Sequence, residues 1–418
     1  MTADLPALAA VTTTDKTRCC IVGGGPAGMM LGLLLARAGV EVLVLEKHVD
    51  FLRDFRGDTI HPSTLEVLHE LGILDEFLTR PHQEAQTVSL TVGGTPMVLG
   101  DFSHLPTRCK FVALMPQWDF LDFLADHARQ YPNFRLWMEA ECTGLLTGDG
   151  AVSGVRVNTP KGVVEVAADL VVGADGRRSV VRDKAGLVVT DIGAPMDVLW
   201  MRLSRQAGDP DQLLGKVGAG QMLVMIDRDT YWQCAFVIPK GTFADLRAAG
   251  LAAFRARILE LAPFIGNRAE ELATWDQVKL LTVTVDRLVR WARPGLLCIG
   301  DAAHAMSPIG GIGINLAIQD AVATANILSA RLREGAPDMA LLAKVQARRD
   351  WATRTTQAFQ VMMQNRLISP VLASRGNLSA PLLLRVLAGI PLFRRIPARI
   401  VGMGFQPEHI ETPAFTPP

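Results

Sequence analysis

The sequence predicts an α/β fold: a Rossmann-like dinucleotide-binding domain interleaved with a mixed β-sheet domain, plus C-terminal helices. Three observations predict it. Gly23, Gly25 and Gly28 lie between an apolar strand and an Ala/Leu-rich helix, inside a strand–turn–helix–strand unit of about 30 residues. Two more apolar stretches, Leu170 to Gly173 and Gly295 to Ile299, end far downstream in turns that carry an aspartate. Between these segments the pattern switches to short alternating strands, so the two units must exchange chain.

Taken in order, Arg18 to Val22 reads as a strand, Pro26 to Ala38 as a helix closed by Gly39, and Glu41 to Leu45 as the next parallel strand. An Arg-rich loop (Phe51 to Thr59) leads to an amphipathic helix, Pro62 to Leu78. Thr87 to Leu99 alternates around a Gly93-Gly94 turn, and a helix follows at Trp118 to Tyr131. Strands are expected around Phe134 to Leu146, Val152 to Thr159, Val163 to Val166 and Leu170 to Gly173. Gln221 to Ile226 and Tyr231 to Ile238 form a hairpin closed by Asp227 to Thr230, and Phe243 to Leu261 is helical. Gly295 to Ile299 returns as a buried strand before a long helix, Gly313 to Leu332. This assigns residues 18–85, 105–190 and 285–362 to the dinucleotide domain, 86–104 and 191–284 to the sheet domain, and 363–418 to the C-terminal segment.

The 418 residues leave room for two or three units, since domains usually run to roughly 100–200 residues. Hydrophobic residues make up 49% and charged residues 20%, so a large core is expected. Lys+Arg and Asp+Glu are balanced at 42 each, which removes any overall field for nucleic acid. No CxxC pair occurs among Cys19, Cys20, Cys109, Cys142, Cys234 and Cys298, so small apolar thiols are expected and no metal site is assigned. Met1 to Thr17 lacks the pattern of a secretory signal and reads as a loose arm. No apolar run reaches the ~18 residues of a membrane span, so a cytoplasmic protein is expected.

The glycine turn carries the first chemistry. Gly23 permits the turn, Gly25 lets a pyrophosphate approach the backbone, and Gly28 lets helix and strand pack closely. The N–H groups at the helix start, from Ala27 onward behind Pro26, face the phosphates with the positive end of the helix dipole. Glu46 closes the second strand, with Lys47 beside it, and its carboxylate suits the hydroxyls of an unphosphorylated ribose, as in FAD or NAD. Asp301, at the carboxyl end of a strand, suits a ribityl hydroxyl, the competing reading being an N-cap. His304 reads as a structural residue. Pro308 to Asn315 is a glycine-rich approach to a helix whose positive end would stabilise the negative charge of a reduced isoalloxazine ring.

These residues resemble a known family, the single-component (class A) flavoprotein monooxygenases of the p-hydroxybenzoate hydroxylase type. Three motifs carry the likeness in order: Gly23-Gly24-Gly25-Pro26-Ala27-Gly28, Ala174-Asp175-Gly176, and Gly300-Asp301 running on to Gly311, Gly313, Ile314 and Asn315. The resemblance spans residues 18–360. It implies an FAD-binding domain of the glutathione-reductase type, with Arg56 at the pyrophosphate, Gln117 at the ribityl chain, Cys142 at the adenine and Asp175 ordering the dinucleotide site. It also implies that NADPH or NADH binds transiently, reduces FAD, and lets O2 hydroxylate an aromatic ring through a flavin C4a-hydroperoxide. Pro308, Gly310 and Gly311 would form the oxygen-side wall, where dry positioning matters more than acid–base help.

The chain departs from the hydroxybenzoate pattern in holding only two tyrosines, Tyr131 and Tyr231. The middle sheet offers Trp200, Met222, Val224, Trp232, Gln233 and Phe236, an apolar lining or equally an ordinary core. As a lining it implies a lipophilic aromatic substrate, such as a quinone precursor or a polyketide ring. From Gln364 to Pro407 six arginines and no acid are interleaved with apolar residues, which reads as a packed tail or as a peripheral membrane contact. A homodimer stays open. The alternatives are an FAD-dependent reductase of a prenyl-type lipid and a non-catalytic flavin-binding redox sensor; a halogenase is disfavoured because Trp-x-Trp-x-Ile-Pro is absent.

Overall fold

The computed structural model describes residues 11–52, 59–210, 214–376 and 390–415. Parallel strands Leu296–Cys298, Gly162–Gly173, Val11–Val22, Val42–Leu45 and Phe134–Trp137 lie side by side in that order and form the backbone of an eight-stranded sheet. Ala292–Arg293, Ala151–Thr159 and Glu141–Gly148 add antiparallel pairing at its margins. The helix Pro26–Arg37 is buried over almost its whole length, because it packs on this sheet and also along helices Gln117–Ala128 and Gly313–Glu334. A helix apolar on all sides is what such a sandwiched position requires.

The second sheet has seven strands in the order Lys279–Leu281, Met196–Ser204, Tyr231–Pro239, Gln221–Asp227, Leu214–Gly218, Thr87–Val92 and Thr95–Asp101. Its two faces differ by strict alternation. Leu199, Met201, Leu223, Met225, Trp232, Cys234 and Phe236 point to the face covered by helix Leu251–Leu261. Val198, Trp200, Val224 and Ala235 point to the opposite, front face.

Three sequence expectations change in detail. The arm is strand from Val11 onward, since Thr13 to Thr17 pair in register with Val164 to Ala168 of the long strand Gly162–Gly173, itself two expected strands fused. The helix expected from Pro62 to Leu78 is two, Pro62–Glu70 and Leu74–Phe77, divided at Gly72 with φ 75°. The helix from Phe243 divides in the same way at Gly250, φ 91°. In both cases apolar spacing continues across a glycine that takes a left-handed turn.

The C-terminal helix Pro391–Met403 packs against Thr95–Asp101 and the helix Pro62–Glu70. The chain then runs extended over the body to Phe415, whose N–H donates to Arg37 O at 2.8 Å. Among the described residues no helix is long and apolar enough to cross a membrane.

Candidate active site

The three motif segments converge. A Cβ on Gly23, φ 110°, would sit 2.4 Å from Ala174 O, and one on Gly300 would sit 3.1 Å from the Ala27 Cβ. A Cβ on Gly28 would lie 1.9 Å from Gly23 O, so the helix closes tightly on the turn. Gly25 differs from Gly23 and Gly28: nothing lies within 4 Å of its would-be Cβ. Pro26–Arg37 also starts without a side-chain cap and without an acid in its first turn. Open space in front of uncapped amides is what a dinucleotide pyrophosphate needs, so the residues present fit the group.

The flanking residues sit around this cradle. Glu46 Oε2 accepts the Gly24 N–H at 3.1 Å and its Oε1 accepts the His48 N–H at 3.1 Å, while Lys47 is exposed. Gln117 is the first residue of its helix and half-buried. Cys142 is buried in the strand Glu141–Gly148, and burial pushes its thiol up to about 12, so it stays protonated. All six cysteines are buried and unbridged. Arg56 lies outside the described residues.

Asp175 faces inward. It accepts Ser179 Oγ at 2.5 Å and the Val180 and Val181 N–H groups at 2.7 and 3.2 Å, stapling the loop after the second motif. Burial raises its carboxyl, and these donors pull it partly back. Asp301 is half-buried and accepts Arg177 Nε at 3.0 Å, which ties the second motif to the third. His304 is a sealed structural residue: its Nε2 lies 2.6 Å from Asp320 Oδ2.

Pro308, Gly310 and Gly311 form a bend with φ of 76° at Gly310 and 64° at Gly311, leading into helix Gly313–Glu334. That helix also begins without a side-chain cap or an acid in its first turn, leaving its positive end unneutralised. The Gly311 carbonyl accepts Thr59 Oγ1 at 3.2 Å and faces His61 Nε2 at 3.1 Å, so that nitrogen carries the proton. Burial holds the His61 imidazole down to about 4, against the pull of the Gly311 and Val401 backbone groups. Ile314 is buried. The Asn315 side chain accepts Ser63 Oγ at 2.6 Å and Thr64 Oγ1 at 2.9 Å.

The expected lining splits. Trp200, Met222, Val224 and Gln233 share the front face, and Gln233 Oε1 accepts Arg228 Nε at 3.2 Å. Trp232 and Phe236 point the other way and are fully buried against Phe264 and Phe254. Two residues of a strand at even spacing share a face, and Trp232 and Gln233 are adjacent, so all six cannot line one cavity.

Thr59, His61, Ser63, Arg177 and Val401 join the site without having been singled out in the sequence. The polar run Thr59-Ile60-His61-Pro62-Ser63-Thr64 before an apolar helix was the visible signal for three of them.

Residues 16–359 match the family model described as FAD binding domain. The chain belongs to that family. It is 34% identical over 389 residues to 6-methylpretetramide 4-monooxygenase of Streptomyces rimosus, covering 92% of each chain. It is 28% identical over 400 residues to dialkyldecalin synthase of Streptomyces rugosporus, covering 91% of this chain and 79% of the other. The solved anhydrotetracycline hydroxylase of Streptomyces rimosus superposes with a TM-score of 0.70 at 23% identity over 93% of this chain and 76% of its own, a likeness of fold alone. The protein is thus an FAD-dependent monooxygenase of the aromatic-hydroxylase type, using NAD(P)H and O2.

Proposed function

We propose that this monooxygenase hydroxylates a flat, fused-ring phenol, with 6-methylpretetramide, the compound in the name of the relative at 34% identity, as the first compound to test. One observation carries the reading. The front face of the sheet offers Trp200, Met222 and Val224 as an apolar floor, with Gln233 and Arg228 at one end to meet an oxygen substituent. An extended apolar face with a few polar groups at one edge suits a ring system larger than a single benzoate.

In this reading Gly25 and the amides after Pro26 would hold the pyrophosphate, and Glu46 would hold the ribose. Lys47, Gln117 and Cys142 would border the adenosine and ribityl parts, and Asp301, bound to Arg177, would also accept a ribityl hydroxyl. Gly310 to Gly313 would hold the ring side, where the helix end favours negative charge. When bound, FAD supplies electron transfer from NAD(P)H and the activation of oxygen. The chain orients the phenol, excludes water and holds the glycine bend rigid through His61 and Thr59. The first sheet would thus form a cofactor half and the second a substrate half.

The test is oxygenation of 6-methylpretetramide with NAD(P)H under isotopically labelled dioxygen, read by mass spectrometry. One labelled atom in the product supports the reading. Substrate conversion that needs no oxygen favours a reductase, and rearrangement without added oxygen favours a synthase like the Streptomyces rugosporus relative.

A peripheral membrane contact is the second reading, favoured by the outer face of Pro391–Met403. Leu392, Phe393 and Ile396 are 61%, 44% and 52% exposed, with Arg395 and Arg399 beside them. Apolar side chains flanked by cations suit an anionic lipid surface. Co-sedimentation with phosphatidylglycerol vesicles, lost in Phe393→Ser, tests it; equal sedimentation of both proteins opposes it.

A further inference from the structure

The C-terminal helix delivers one residue to the junction of both halves. Val401 Cγ2 lies 3.6 Å from the point where a Cβ on Gly310 would sit, beside the expected oxygen-side wall. Toward the sheet it packs into the cluster of Ile226, Ala398 and Met403, which Val224 of the front face also joins. Toward the flavin side it borders Met306, Ile312 and Leu316. Yet Val401 keeps partial exposure, so it edges open space and is not sealed core.

Its backbone is fixed. Gly402 O accepts Ser63 Oγ at 3.0 Å, and a Cβ on Gly402 would come within 2.8 Å of Leu105. The Val401 backbone also lies against buried His61. A β-branched side chain on an immobile backbone makes a stiff wall, because χ1 has little freedom. A flexible residue here would yield to a larger ligand, whereas valine does not.

We propose that Val401 is a specificity-determining residue, whose isopropyl group sets the gap between the Gly310 bend and Val224 and hence how many fused rings fit beneath it. The inference rests on the fused-ring reading above. It places part of the substrate wall on a segment beyond residues 16–359, the span matched by the family model. Relatives that share the cofactor half can therefore differ in substrate through the tail.

The experiment titrates FAD-loaded enzyme with phenol, 1-naphthol, 1-anthrol and 6-methylpretetramide, following the perturbation of the flavin visible spectrum. In Val401→Phe the ratio of 1-anthrol to phenol affinity is expected to fall about tenfold, the scale that one misplaced apolar group carries in a pocket. In Val401→Ala the same ratio is expected to rise about threefold. Ile396→Ser, on the exposed face of the same helix, should leave it unchanged and controls for a general effect on the helix. Unchanged ratios in both Val401 variants, with FAD content retained, overturn the inference alone. A wild-type holoenzyme that responds to none of the four compounds overturns the fused-ring reading and the inference with it.

Discussion

His304 Nε2 and Asp320 Oδ2 lie 2.6 Å apart beneath the third motif, both closed to solvent. The same carboxylate accepts the Gly300 N–H at 3.0 Å and Arg349 Nε at 3.1 Å. Burial pushes the Asp320 carboxyl up, but His304, Arg349 and Gly300 together more than reverse this and hold it below its ordinary value. Arg349 passes the contact on to Glu408 at 3.1 Å in the C-terminal strap. The loop that carries Asp301 is thus anchored to the end of the chain.

Asp320→Ala is expected to destabilise the fold by roughly 3–5 kcal/mol, because it leaves a buried arginine and histidine without their partner. Urea unfolding measures it. A loss below about 1 kcal/mol would mean that the network bears little on stability.

Gly25 and Gly28 should respond differently to the same added methyl group. Gly25→Ala has open space and an ordinary φ of −75°, so the apoprotein is expected to melt like wild type. Its FAD affinity should nevertheless fall at least about tenfold, or 1.4 kcal/mol, because the methyl occupies the phosphate approach. Gly28→Ala meets Gly23 O at 1.9 Å and should instead lower the melting temperature directly. Thermal unfolding with and without FAD separates the two, and a Gly25→Ala protein that binds FAD normally would remove the pyrophosphate from this position.

His61 predicts an acid sensitivity. Its folded-state value, near 4, lies below that of an unfolded histidine near 6.5, so the unfolded chain binds the extra proton between these values. The neutral imidazole's contribution is complete above about pH 6.5 and is lost as pH falls toward 4, on the order of 3 kcal/mol in all. His61→Gln should flatten the pH dependence of stability in that window relative to wild type. Parallel stability curves would show that the imidazole is not sealed.

The two tryptophans on opposite faces should separate stability from binding. Trp232 is fully buried and its Nε1 donates to Asp209 at 2.8 Å, so Trp232→Ala is expected to cost about 3–5 kcal/mol of stability. Trp200→Ala should instead raise KM for the aromatic substrate with a smaller effect on unfolding. Equal KM changes in the two variants would contradict the face assignment.

Much of the fold was legible because glycine and proline punctuate it. The helix between Gly25 and Gly39 is bounded by residues whose local physics permits little else, and the strand Val42–Leu45 follows directly from that stop. The strand from Val11 was not legible, since its early half (Thr13 to Thr17) is polar and pairs along one edge only. The breaks at Gly72 and Gly250 were missed because an apolar period carries through a single glycine. Within the site, Thr59 and His61 meet Gly311 across 252 and 250 residues, and Ser63 meets Gly402 across 339. Local pattern holds no trace of such pairings. The split between Trp232 and Gln233 could have been read, because adjacent residues of one strand point to opposite faces; that Trp200 sides with Gln233 depends on cross-strand register and could not.

Gly25, the two uncapped helix ends and Asp301 together form the proposed seat of one flavin. The direct measurement is the amount of FAD per polypeptide after purification from riboflavin-replete cells, followed by titration of any empty chains with FAD. Saturation at one FAD per chain, with a visible flavin spectrum, is expected. A colourless protein that takes up no added FAD would contradict it.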